Sequence, residues 1–443
     1  MIKTLLIGCS VLLLCACGGG GGGTEGNSDN NAVTPTYTAF TSTHMDADNS
    51  DIQPIIDRLK DYDVVSLGEP SHSGSVVHFL KSRLLKGMHQ QGQLDMIVFE
   101  AGFYDGLAAW ENYLTGKQPL IEAITGPDAN YMYMHRHSLG VSQIVNYVND
   151  VDQVNDPLIL VGFDTRINSD PACVVKPELG TSVMLNELET YLVNAAISTE
   201  DMAAIHQVAP VMMCPWYTDV VYQGDYDLHW KLLLALFELE AKLTAQVPNE
   251  TIPAYDPTQP RNFRDYASFW LQIVKGMQAH AKMQYEDYYP VADISSADNV
   301  RWLREVWFGA TQQTALWAHN IHISKHADTV PTAMKRNQPS LSMYSILVLD
   351  NGGTYAPYTP DHTQWKIDTE SFTYPDFSLN AKLADMQLPN AFFDFDAENR
   401  SNQLFSGGNF IYGVPQGGLV APHEVMDGMI FIPVEEATKS RYE

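Results

Sequence analysis

Residues 63–103, DVVSLGEPSHSGSVVHFLKSRLLKGMHQQGQLDMIVFEAGF, admit few folds. Residues 64–67 and 96–99 are short apolar runs with the length and composition of buried strands. Between them Val76, Val77, Phe79, Leu80, Leu84 and Leu85 recur at helical spacing, which predicts a helix over 76–88. A strand–helix–strand crossover is right-handed and makes its two strands parallel. In an open parallel sheet, ligands bind beyond the carboxyl ends of the strands. Glu69 and His72 follow the first strand and Glu100 ends the second, so all three are expected in one crevice. Two carboxylates and an imidazole gathered there suit acid–base chemistry.

Later segments extend the same sheet. Residues 158–161 form a third buried strand, which runs out into Gly162-Phe163-Asp164-Thr165-Arg166. Asp164 and Arg166 are placed for a site, and equally for a structural cap and its ion pair. From 182 to 310 the chain is mostly helical, with long periodic stretches at 230–243, 263–283 and 299–311. This reads as a helical insertion over the sheet rather than an independent domain. Residues 314–318 give a fourth strand, followed at once by His319 and His322 on the crevice side. An H-x-x-H pair alone is a weak metal signal. Further strands are expected at 344–350 and 429–434. The fold class is therefore α/β: a mostly parallel central sheet flanked by helices, with a large helical insertion.

The amino terminus carries a different message. MIKTLLIGCSVLLLCAC has one lysine, a short apolar core and small residues before a cysteine, as in a secretory signal over 1–17. Its end resembles the bacterial lipobox, which makes Cys17 the expected lipidation site and the cell envelope, at the outer membrane, the expected address. Residues 18–45, opening with six glycines, are expected to be a flexible tether. Cys9 and Cys15 leave with the signal, so Cys173 and Cys214 remain as the expected disulfide pair of an oxidising compartment. Of the 443 residues, 53 are acidic and 26 basic, a formal net charge of −27. That surface repels phosphates, so nucleic acid is not an expected partner.

The constellations together resemble the erythromycin esterase family. The residues that carry the resemblance are Gly68-Glu69-Pro70-Ser71-His72, Lys81 and Arg83 in the following helix, Phe99-Glu100-Ala101, the Val161–Asp164 strand end, Trp317-Ala318-His319-Asn320-Ile321-His322, and a closing strand near 425–432. They span the chain from about residue 50 to 440, so 46–443 is expected to be one domain of this type. The resemblance implies hydrolysis of an ester or lactone of a small molecule without a covalent serine intermediate. It assigns His72, Glu69, Glu100, His319 and His322 to catalysis and Lys81 and Arg83 to the substrate, with no cofactor required; Asp164 and Arg166 are expected on the substrate from their place past the third strand. A G-x-S-x-G nucleophile elbow is absent from the sequence. The departures are Ser73 where the family has glycine, Ala292 where it has arginine, and 134–139 where it has a tryptophan-led helix. Two alternatives stand beside this reading. The same Glu69, His72, Glu100, His319 and His322 set would hold a divalent metal or serve a haem-binding lipoprotein, or the domain would be an inactive surface binding module.

Overall fold

The computed structural model describes residues 34–125, 135, 138–165, 182–212, 226–286, 290–309, 313–356, 370–414 and 418–439. Cys17, Cys173, Cys214 and Arg166, and with them the lipidation and disulfide expectations, lie outside these residues.

Among the described residues ten strands form, in chain order: β1 (Thr38–Ala39), β2 (Val64–Leu67), β3 (Leu94–Gly102), β4 (Ile159–Asp164), β5 (Gln313–Trp317), β6 (Met343–Asp350), β7 (Gly353–Tyr355), β8 (Glu370–Phe372), β9 (Ala391–Asp394) and β10 (Gly428–Ile432). Eight of them make one sheet in the order β1-β9-β10-β6-β2-β5-β3-β4. The six from β10 to β4 are mutually parallel, and β9 and β1 add antiparallel pairing at one edge. Parallel strands are covered on both faces, which is why β2, β4 and β10 are buried at every position. The six parallel strands are those the apolar runs predict. Strand β1 pairs Thr38 with Phe392 and Ala39 with Ala391, and Phe40 is buried, so the folded unit starts inside the stretch expected to be tether.

Helix α1 (Gln53–Leu59) precedes β2, α2 (Ser75–Gln90) joins β2 to β3, and α3 (Phe103–Leu114) follows β3 directly. Helix α3 lies so close to β4 that a Cβ on Gly106 would sit 2.1 Å from the Gly162 amide nitrogen. Between β4 and β5 the described residues are mostly helical, as expected, and their buried side chains, such as Leu188, Leu236, Phe269 and Trp270, belong to the same core as the sheet. One helix differs from expectation. The run placed at 299–311 starts at Pro290 and passes after Trp302 into a wider-wound turn, Leu303–Trp307. Proline at a first helical position explains the earlier start. Among the described residues no helix is long and apolar enough to cross a membrane.

The start of α2 is held by an acid from the far end of the chain. Glu435, buried just past β10, accepts the Val76 amide at 2.7 Å and the Val77 amide at 3.3 Å. Burial first, and then nearby Asp350, push its carboxyl up from 4.5 to about 8. The folded protein therefore keeps this proton up to about pH 8, whereas the unfolded chain releases it near 4.5. Within that window the unfolded state binds fewer protons, so stability falls as pH rises. Glu435→Gln, which keeps an acceptor for Val76, should remove part of that fall, gaining about 1–3 kcal/mol over wild type at pH 8.5 and little at pH 4.5. Urea unfolding at the two pH values measures it; an equal effect at both would rule this origin out.

Candidate active site

The crevice opens at the carboxyl ends of β2, β3, β4 and β5, and its organising group is Glu69. Gly68, which delivers it from β2, has no room for a side chain: a Cβ there would sit 2.1 Å from Asn320 Oδ1. Asn320 needs that space because its side chain bonds Val348 O at 2.7 Å and Val348 N at 3.2 Å, while its own amide donates to Glu69 O at 2.9 Å.

The Glu69 carboxylate is fully buried and saturated with donors. His72 Nδ1 at 2.8 Å and His135 Nε2 at 2.7 Å both reach Oε1. Lys81 Nζ at 2.9 Å and Trp317 Nε1 at 2.8 Å reach Oε2, with His78 Nε2 3.3 Å away but out of hydrogen-bond alignment. Burial opposes charge on Glu69, but Lys81, His135 and His78 outweigh it and hold the carboxyl well below its usual range. Lys81 lies 4.2 Å over the Trp317 ring, and burial brings its ammonium down to about 8 despite Glu69. Burial likewise takes His78 down to about 4, so it is neutral there.

An ionised carboxylate only accepts, so His72 Nδ1 and His135 Nε2 carry the protons. His72 is thereby fixed with its Nε2 lone pair facing Glu100 Oε1, 3.7 Å away. On the far side of Glu100 a second imidazole repeats the arrangement. His322 Nδ1 pairs with Asp293 Oδ1 at 2.7 Å and its Nε2 stands 3.4 Å from the same Glu100 Oε1. Burial raises the Asp293 carboxyl, opposed by His322 and reinforced by Glu100 and Asp164. Glu100 is aimed inward by a break in the β3–β4 register: Phe99 pairs with Gly162 but Gly102 with Asp164, which leaves an extra residue between them. Its Oε2 accepts the His319 amide at 2.8 Å.

Most of the expected residues are thus gathered, with three revisions. His319 is committed elsewhere: Nε2 donates to Pro70 O at 2.9 Å and Nδ1 accepts the Ile321 amide at 3.1 Å, capping the short helix Asn320–Ile323. Burial takes that ring down to about 4, so it is a neutral clamp on the Glu69 loop rather than a ligand or a charge on the substrate. Arg83 is not in the crevice. It is buried against the amino-terminal segment, bonding Ser42 O, Asp48 O and Asp51, because two residues beyond Lys81 on a helix is the opposite face. Lys81 is in the site, but its ammonium is buried and paired with Glu69. Asp164 ends β4 beside Asp293, buried.

His78, His135 and Asp293 were not among the expected site residues. His78 stands one turn before Lys81 on α2, so helix period alone was enough to find it. His135 sits in YMYMHRH, which has no periodicity to place it, and Asp293 reaches His322 across 29 residues. His135 also completes a donor group with Glu69 and His72, whose ligand atoms lie within 4.8 Å of one another.

No family model matches the chain. It is 31% identical over 380 residues to "Putative hydrolase YbfO" of Bacillus subtilis (strain 168), covering 79% of this chain and 78% of that protein. Among solved structures it resembles a succinoglycan biosynthesis protein, with a TM-score of 0.67 at 15% identity over 91% of this chain and 95% of the other. It also resembles a mutant of the erythromycin esterase EreC in its open conformation, with a TM-score of 0.65 at 13% identity over 91% and 98%. With the motif residues gathered around Glu69 on this sheet, the chain belongs to the erythromycin esterase-like family.

Proposed function

We propose that the protein hydrolyses an uncharged ester or lactone with water as the nucleophile. The observation that carries this reading is the convergence of two carboxylate–imidazole pairs, Glu69–His72 and Asp293–His322, on one oxygen of Glu100. His72 Nε2 takes a proton from water as the water oxygen bonds to the carbonyl carbon. His322, starting as the imidazolium with its Nδ1–H on Asp293, gives its Nε2 proton to the departing alkoxide oxygen as the carbon–oxygen bond breaks, and the proton held by His72 then returns through Glu100 to His322. The serines nearest the cluster are committed to structure: Ser71 and Ser73 hydrogen-bond each other at 3.1 Å, and buried Ser138, 2.8 Å from His78 Nδ1, caps its helix by accepting the Val141 amide at 3.3 Å. The relative's description as a hydrolase and the esterase among the structural neighbours agree with this class. An envelope address through lipid on Cys17 belongs to the same proposal.

One observation favours a second reading. Two imidazoles and a carboxylate form the donor set of a facial metal site, and Glu69, His72 and His135 fit it by type and spacing. A divalent ion held there would lower the pKa of a bound water. Lys81 on the other oxygen of Glu69 opposes added positive charge. The test is hydrolysis of a panel of neutral esters and lactones, macrolides included, with and without a chelator. Turnover indifferent to the chelator is expected. Loss to the chelator, with recovery on one added metal, transfers the reading to the metal, and no turnover from folded protein removes both.

A further inference from the structure

Next to the clamp residue His319 the chain presents aromatic rings to solvent. A Cβ on Gly413 would stand 3.9 Å from His319 Cε1, which brings the 409–414 loop to the rim of the crevice. Its neighbour Tyr412 is 50% exposed and packs on Tyr374 with ring centroids 4.9 Å apart. The Tyr374 hydroxyl in turn lies beside buried Asp350, at the carboxyl end of β6. One step along, Phe377 is 62% exposed and stands edge-on to Phe410 at 5.3 Å. Two segments, 374–377 and 410–412, are thus held together by paired rings whose outer members face water.

Single exposed apolar residues are ordinary on a protein surface. Two exposed rings, each backed by another aromatic side chain, one of them beside the Gly413 contact at the rim of the catalytic crevice, are not accounted for by the core. Tyrosine has only two side-chain torsions, so a backed ring offers a flat contact face at little entropic cost. The adjoining crevice contains Glu69, Glu100, Asp164 and Asp293 against the Lys81 ammonium that pairs with Glu69, an excess of carboxylates that disfavours an anionic ligand. What suits both features is a neutral molecule with a flat, CH-bearing ring.

We propose that Tyr412, supported by Tyr374, is a stacking subsite that selects ring-bearing neutral esters for the crevice, a reading that rests on the hydrolase proposal. The ring lies on Tyr412 while the carbonyl reaches between His72 and His322. Aromatic and saturated rings share the required face, and the experiment separates them.

The test uses the full chain and compares a naphthyl ester, a cyclohexyl ester and a methyl ester of the same acid. In Tyr412→Ala, the ratio of kcat/KM for the ring esters to that for the methyl ester should fall about tenfold, through KM. Tyr412→Phe should retain the wild-type ratio. A larger fall for naphthyl than for cyclohexyl assigns the subsite to aryl groups, and the reverse assigns it to saturated rings. An unchanged ratio in Tyr412→Ala overturns the proposal. Should wild type hydrolyse none of the three, the hydrolase reading fails by itself, and the subsite is then judged by calorimetry with the naphthyl amide of the same acid. Binding by wild type that is lost in Tyr412→Ala sustains the subsite, and equal or absent binding ends it.

Discussion

Glu69→Ala should cost the fold about 3–5 kcal/mol, the range for breaking a buried ion pair by removing one partner. The substitution leaves the Lys81 ammonium, 1% exposed, without its counter-charge. It also strips the Trp317 indole and His135 of their acceptor. Denaturant midpoints of wild type and variant at pH 7 measure the loss. A cost under about 1 kcal/mol would mean that the donors find other acceptors and that Glu69 does not organise the crevice. The double variant Glu69→Ala/Lys81→Met should regain much of the stability, because the stranded charge is what the single change exposes. Neither variant should turn over ester.

His72→Ala should do the opposite: a small change in stability and a fall in kcat of about 10²–10⁴, the usual contribution of a positioned general base. The imidazole is half-buried and makes one strong hydrogen bond, to Glu69 Oε1, so little of the core depends on it. Single-turnover rates on the best ester of the panel give the comparison directly. Retention of a tenth or more of wild-type kcat would withdraw His72 from the base role. His319→Ala is the informative companion. Its loss should loosen both the Pro70 loop and the amide that holds Glu100, lowering activity together with thermal stability.

How much of this was readable in the chain depended on the range of the interaction that decides each feature. Strands β2, β3, β4, β5, β6 and β10 announce themselves because parallel strands are apolar on both faces, and their carboxyl ends then dictate where polar residues meet. Strand β9, only four residues of AFFD, and the two-residue β1 carry too little pattern to stand out; β9 forms because the β10 edge offers a partner, and β1 because β9 then does. The grouping of Glu69, His72, Glu100 and His322 followed from those ends. Their individual duties did not. The helical period puts Lys81 and Arg83 on opposite faces of α2, so a motif that pairs them as substrate contacts holds for neither face alone. Whether His319 offers a nitrogen to a ligand depends on Pro70 O and the Ile321 amide, which only the folded geometry brings to it. His135 meets Glu69 across 66 residues, and no local signal carries that distance.

The four donors on Glu69 also bear on how such a protein would age. A lineage that stopped needing chemistry would be under no pressure to keep His72, whose loss the fold barely registers. Glu69 would persist, because the chain that drops it must also find a home for a stranded lysine. In descendants of this scaffold, retention of the imidazole rather than of the carboxylate is therefore the mark of a working enzyme.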